Sequence, residues 1–202
     1  MSALSVSEAA ARIRRGELVA YPTETVWGLA ADARSDAAVE KLRAWKGRDP
    51  QQAMSVLVSD YGGLEALGAE TTPLAAQLAA KFWPGPLTLV LRCERAFARG
   101  IAGADGAVGF RCSPHPVARA LAREAGVITA TSFNRSGDAA CATRAEAEAC
   151  ADAEVALVAG EDASGAAPSS VVDASGAELR VLREGAIPAH VLEAALLGEM
   201  RG

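Results

Sequence analysis

Aromatic residues make up only 4% of this 202-residue chain, and histidine occurs twice. So few rings leave little material for stacking nucleobases. Positive charge is short as well: 20 lysines and arginines face 25 acids, for a net charge of −5. That balance argues against a protein whose main business is holding nucleic acid by charge. Cys93, Cys112, Cys141 and Cys150 form no C-x-x-C pair and have only His115 and His190 to help them, so no structural zinc site is expected. The thiols are expected to be reduced, in the cytoplasm. Glu8, Arg12, Arg14 and Arg15 interrupt the N-terminal alanines, and no run approaches the ~18 apolar residues of a membrane span, so neither signal peptide nor membrane partner is expected. Neither G-x-x-x-x-G-K-[ST] nor G-x-G-x-x-G occurs, since Gly103, Gly106 and Gly109 are wrongly spaced. Any phosphate must be held by cationic side chains, hydroxyls or helix N-termini.

Half of the residues are apolar, enough for one well-buried core, and the length is short for two; residues 1–202 read as a single domain. Ser5 with Glu8 has capping-box spacing and Gly16 is a natural stop, predicting a helix from Ser5 to about Arg15. Leu18 to Tyr21 is a short apolar run ended by Pro22, a strand terminus. Asp36 opens a helix with Val39, Leu42 and Trp45 on one face. Further strands are predicted at Met54–Val58, Leu87–Arg92, Ala107–Arg111, Val127–Thr131, near Val155–Val158, at Ser170–Asp173 and at Leu179–Leu182. Helices are predicted after Thr72, from Ser113-Pro114 to Gly126, after Thr143 and after Pro188. Strands and helices alternate without repeats or a linker, which favours an α/β sheet with helical cover and leaves the pairing order open.

Polar, ligand-ready residues recur where these strands and helices end: Thr23 and Thr25, Lys46 and Arg48, Arg111 beside Ser113, Ser132 to Ser136, Ser169 with Ser170, and Arg183. In open α/β sheets ligands sit in the crevice at strand ends, where such residues converge. Each also has an ordinary reading. The threonines cap a turn, Lys46 and Arg48 complement a helix dipole, and Arg111 forms a salt bridge. Trp83-Pro84-Gly85-Pro86 stops a helix, and His115 packs or hydrogen-bonds at a helix start.

PTETVWGLAADA, KGR, WPGPLT, FRCSPHP, TSFNRSG, PSSVVD and LREGAI follow one another across nearly the whole chain. In that order and spacing they resemble the YrdC-like family of threonylcarbamoyl-AMP synthases. The resemblance implies a single-domain twisted open mixed α/β sheet with helices and a large concave cavity, similar to dihydroxybutanone-phosphate synthase. It implies a nucleotidyltransferase that makes threonylcarbamoyl-adenylate and pyrophosphate from L-threonine, bicarbonate or CO2, and ATP. Mg²⁺ would accompany ATP, with no tightly bound protein metal site. The product would feed threonylcarbamoyladenosine formation in tRNA through the tRNA threonylcarbamoyl-transfer proteins, with tRNA binding weak or indirect. Residue by residue, Thr25, Arg111 and Ser169 resemble the threonine contacts. Lys46, Arg48, Gln52, Ser132, Asn134 and Arg183 resemble the ATP contacts, with Lys46 and Arg48 as the catalytic cations. Gln52 stands where asparagine is expected, Ala53-Met54 where Pro-Leu is usual, and Asp49 interrupts the K-x-R-P run. Phe133 replaces a small residue, and is expected to narrow the nucleotide side of the cavity or stack on the base.

Two rivals belong to other classes. An RNA-binding module of the same fold would place Arg12, Arg14, Arg15, Arg43, Lys46 and Arg48 in one basic concavity. A carbamoyl-adenylate enzyme of the hydrogenase-maturation type would carry acylphosphatase-like and zinc-finger segments, for which 202 residues leave no room.

Overall fold

The computed structural model describes residues 3–49, 52–95, 97–103, 105–160, 162 and 167–197. Its elements run α1 (Val6–Arg14), β1 (Leu18–Tyr21), β2 (Gly28–Ala30), α2 (Asp36–Lys46), β3 (Ser55–Leu57), α3 (Gly62–Ala66), α4 (Pro73–Phe82) and β4 (Leu87–Arg92). The chain continues through β5 (Ala107–Arg111), α5 (Pro116–Ala125), β6 (Ile128–Ser132), α6 (Arg144–Cys150), β7 (Val155–Leu157), β8 (Ser170–Asp173), β9 (Arg180–Arg183) and α7 (Ala189–Leu197).

Local chemistry explains most boundaries. Both expected capping boxes form, Ser5 with Glu8 and Thr143 with Glu146. α2 is capped by the Ser35 hydroxyl, which accepts from Ala38 N at 3.2 Å, and not by Asp36; the Asp36 carboxylate instead accepts from Arg99 N at 2.8 Å. Gly47 ends α2 in the left-handed conformation, φ 64°, which turns the chain between Lys46 and Arg48. α5 starts at Pro116, later than Ser113-Pro114 implies, because His115 supplies the cap: its Nδ1 accepts from Val117 N at 3.2 Å. Two elements carry little sequence signal. β2 is three residues long, too short for alternation to show, and α3 opens on Gly62 and Gly63, which are poor helix formers.

The nine strands form one mixed sheet in the order β7-β1-β2-β6-β3-β5-β4-β8-β9. β7 with β1, β3 with β5, and β4 with β8 are parallel; the other neighbours are antiparallel. Period-two alternation gives the central strands two different faces. Val56, Leu89, Leu91, Val108, Phe110 and Val172 are buried in the larger core, which also holds Val39, Leu42 and Trp45 of α2 and Leu74, Ala75 and Leu78 of α4. On the opposite face, Val19, Tyr21, Ala30, Leu57 and Ile128 form a second core with Ala9, Ala10 and Ile13 of α1 and Ala118, Leu121 and Ala122 of α5.

That second face also carries Gly28, Ser55, Thr88, Gly109 and Ala130, whose small side chains line a cavity of about 550 Å³. The floor is closely fitted. A Cβ on Gly28 would lie 2.6 Å from Tyr21 Cζ, and one on Gly109 would lie 2.7 Å from Ser55 Oγ. Gly28→Ala is therefore expected to displace the buried Tyr21 ring and cost about 1–3 kcal/mol of folding stability. Urea denaturation measures this, and an unchanged midpoint would show that Tyr21 moves aside freely.

Candidate active site

Of the residues singled out for ligand binding, Thr23, Arg48, Arg111, Ser132, Ser169 and Arg183 line this one cavity, although they come from six separate stretches of chain. β5 delivers Arg111 at its end, β6 delivers Ser132, and β9 delivers Arg183. The left-handed turn at Gly47 aims Arg48 inward, where Nη2 donates to Ala53 O at 2.8 Å and Nη1 to Thr131 Oγ1 at 3.4 Å. Arg183 Nη2 donates to Ser169 O at 2.7 Å, and the Ser169 hydroxyl meets Thr88 Oγ1 at 3.0 Å.

The remaining candidates stand behind the wall. Lys46 is buried, and its Nζ donates to Ser132 O at 2.5 Å, Asn134 O at 2.9 Å and Asn134 Oδ1 at 3.2 Å. Asn134 Oδ1 also accepts from Ser132 Oγ at 2.6 Å, and its Nδ2 donates to Asp138 O at 2.9 Å. Lys46 and Asn134 thus brace the turn that presents Ser132. Thr25 is buried and accepts from Arg111 Nη2 at 2.7 Å. Gln52 is exposed and does not line the cavity; its carbonyl accepts from Arg43 Nη2 at 2.9 Å.

Phe133 corrects an expectation. Its ring is fully buried and stacks on Trp45, with centroids 5.1 Å apart and an interplanar angle of 21°, so it neither narrows the cavity nor faces a base. The backbone on either side explains why. Phe133 N donates to Trp27 O at 2.7 Å and its carbonyl accepts from Cys141 N at 3.1 Å, which fixes the side chain toward α2. The single basic concavity of the RNA-binding reading does not form either. Arg43 is buried and donates to Asp49, Gln52 and Gly100 carbonyls, while Arg12 and Arg15 pair with Glu17.

Most of the wall was not singled out in advance, Tyr21, Thr88, Thr131, Asp105, Asp173 and Arg180 among it. Thr88 is the one polar residue within LTLVL, a signal visible in the strand itself. Tyr21 and Thr131 reach the cavity only through sheet pairing, and a single sequence gives no hint of that.

Charge sets the character of the site. Arg111 pairs with Glu24 at 2.7 Å. Arg48 and Arg183 donate only to neutral oxygens, and no carboxylate pairs with either among the described residues. Burial, followed by the nearby Arg43 and Arg183 charges, pulls the Arg48 pKa down; burial and then Arg111 do the same to Arg183. Burial, then the Arg48 charge, lowers Lys46 to about 8. Four arginines (Arg48, Arg111, Arg180 and Arg183) and two aspartates (Asp105 and Asp173) line the concavity, and that excess of positive charge suits an anionic ligand.

Threonylcarbamoyl-AMP synthase of Chromohalobacter salexigens is 34% identical over 174 residues, covering 86% of this chain and 94% of that protein. The protein of the same name from Bacillus subtilis is 41% identical over 134 residues, 65% of this chain but only 39% of the longer protein. The crystal structure of P. abyssi Sua5 complexed with L-threonine is similar at 32% identity and a TM-score of 0.88, covering 95% of this chain and 57% of that one. The chain therefore spans nearly the whole of one relative and about half or less of the other two. Residues 11–185 match the Sua5/YciO/YrdC family, described as "Telomere recombination", and the chain belongs to that family.

Proposed function

We propose that this cavity joins L-threonine, bicarbonate or CO2, and ATP into threonylcarbamoyl-adenylate with release of pyrophosphate. The observation that carries the reading is a pair of guanidiniums on the cavity wall, the half-buried Arg48 and the more exposed Arg183, which have no acid partner among the described residues in a chain of net charge −5. The triphosphate of ATP supplies the missing anion. The threonine-bound P. abyssi relative and the names of the bacterial relatives support the same chemistry.

In this reading Arg111, with Thr25 behind it and Ser169 across the cavity, holds the amino-acid carboxylate. Arg48, Ser132 and Arg183 take the phosphates, Gln52 and Asn134 border the nucleotide end, and Lys46 adds its charge from behind the Ser132 turn. Once the threonine amine has added to CO2 and given up a proton to water, the nucleophile is an anionic carbamate, so the attack itself needs no protein base. Its oxygen attacks the α-phosphorus, the bond to the β-phosphate oxygen breaks, and Arg48 and Lys46 offset the charge gathering on the departing pyrophosphate. Mg²⁺ accompanies the phosphates. Among the described residues no three ligating side chains cluster to hold a metal, so nucleotide oxygens and water would supply its ligands. The mixed anhydride product is a reactive acyl donor, suited to the proteins that pass threonylcarbamoyl to tRNA. No helix among the described residues is long and apolar enough to cross a membrane.

Pyrophosphate release from ATP with bicarbonate is expected to require L-threonine, and to fall by roughly tenfold or more in Arg111→Ala. Release that ignores threonine sinks the reading. The Lys46 ammonium is present below its pKa of about 8 and lost as the pH rises through it. ATP affinity is therefore expected to decline from about pH 7.5 to about pH 9 and to stay level in Lys46→Arg, which keeps its proton; calorimetry at a series of pH values reads this. Phe133→Ala is expected to lower stability by about 3–5 kcal/mol while leaving the ATP KM within about twofold of wild type, because the ring belongs to the core. A large KM change with an unaltered unfolding midpoint would return Phe133 to the site.

A further inference from the structure

Arg111 is held by an ordered chain of side chains that extends past Thr25 to residues given no role above. Its Nη2 donates to Glu24 Oε1 and to Thr25 Oγ1, both at 2.7 Å, so both protons of that nitrogen are engaged within the protein. Glu24 Oε2 accepts from Ser113 Oγ at 2.5 Å, and Ser113 Oγ accepts from His115 N at 3.2 Å. On the other side, the Thr23 hydroxyl donates to Val26 O at 2.6 Å. Its 3.2 Å contact with the Thr25 hydroxyl therefore runs from Thr25 to Thr23. Thr25 is left with its proton engaged and its oxygen turned to Arg111. Thr25 and Ser113 are both buried, and the Arg111 and Glu24 side chains keep only 12% and 20% of their exposure. Arg111 Nε is buried without a partner, and Nη1 makes no hydrogen bond among the described residues, although Arg111 lines the cavity.

We propose that Glu24 is a positioning residue for amino-acid recognition: its carboxylate, itself anchored by Ser113, clamps Arg111 by Nη2 so that Nη1 is presented to the substrate carboxylate. This rests on the threonine reading of the cavity and adds the device that makes Arg111 selective in direction. A free arginine side chain samples many rotamers, and fixing it before the ligand arrives removes that ordering cost from binding. The clamp also opposes the ligand, because a second carboxylate approaches a guanidinium that already has one. Geometry and charge therefore pull in opposite directions at Glu24, and two substitutions separate them.

Threonine and ATP KM values in pyrophosphate release, with calorimetric threonine binding, are compared for wild type, Glu24→Ala, Glu24→Gln and Glu24→Asp. Glu24→Ala removes the clamp and is expected to raise the threonine KM by roughly tenfold or more while the ATP KM stays within about twofold. Glu24→Gln keeps an oxygen for Arg111 Nη2 and an amide for Ser113, and is expected to stay within about threefold of wild type or to bind threonine more tightly. Should the alanine variant fail to fold, Glu24→Asp carries the test, because its shorter arm withdraws the carboxylate and is expected to raise the threonine KM alone. An unchanged threonine KM in Glu24→Ala, or in Glu24→Asp where the alanine variant does not fold, overturns the proposal. So does a parallel rise of both KM values with a lowered unfolding midpoint, which would mark a structural role. A wild type whose pyrophosphate release ignores threonine removes the substrate reading and this proposal with it, whereas a threonine-dependent wild type with an indifferent Glu24→Ala removes the proposal alone.

Discussion

Val56 of β3, Leu89 and Leu91 of β4, Val108 and Phe110 of β5 and Val172 of β8 lie in the core shared with α2 and α4, while Ser55, Thr88, Gly109 and Asp173, which alternate with them, line a cavity. A strand cannot bury both faces unless something covers both. On this sheet α1 and α5 cover only part of the second face, and the cavity occupies another part of it. Glycine, alanine and serine keep that part hollow, because Gly28 already abuts Tyr21 and Gly109 abuts Ser55. Everything that binds in this protein depends on that incomplete coverage.

Besides Arg180, which pairs with Asp173 on the same wall, the chain directs three guanidiniums into the hollow: Arg48 after α2, Arg111 at the end of β5 and Arg183 at the end of β9. Their mutual repulsion is tolerated because each guanidinium is hydrogen-bonded to protein oxygens: Arg48 to Ala53 and Thr131, Arg183 to Ser169, Arg111 to Glu24 and Thr25. Those bonds satisfy donors but, except at Glu24, do not neutralise charge. A site of this kind is held ready by its neighbours and becomes electrically balanced only when an anion enters, which is how fixed dipoles and charges stabilise a transition state without rearranging during the reaction. Of these three, only Arg111 is paired with an acid among the described residues, and it stands at the end proposed above for the amino acid.

Much of the architecture was legible from local chemistry. Ser5 with Glu8 and Thr143 with Glu146 announce helix starts, and Gly16 and Gly47 announce stops. β2 and α3 were not legible, one too short to show a period and the other opening on glycines. At the site, the ordered set of motifs pointed to Arg48, Arg111, Ser132, Ser169 and Arg183, all of which line the cavity. Phe133 misled because a large residue beside S-x-N reads as a wall of the pocket, whereas Trp45, 88 residues earlier in the chain, offers it a ring to stack on inside the core.

The sequence by itself determined the alternation of strands and helices, the caps that bound them, the absence of a glycine phosphate loop and the family to which the motifs point. Those properties rest on contacts within a few residues or on residue order, and both can be read along one dimension. Only the tertiary structure decided which candidates face the ligand and which stand behind it. Lys46 and Arg48 are two residues apart, yet one is buried against the Ser132 turn and the other lines the cavity, because a left-handed glycine between them turns the chain. Glu24 and Arg111 are 87 positions apart, and their 2.7 Å contact exists only once β1 and β5 take their places in the same sheet.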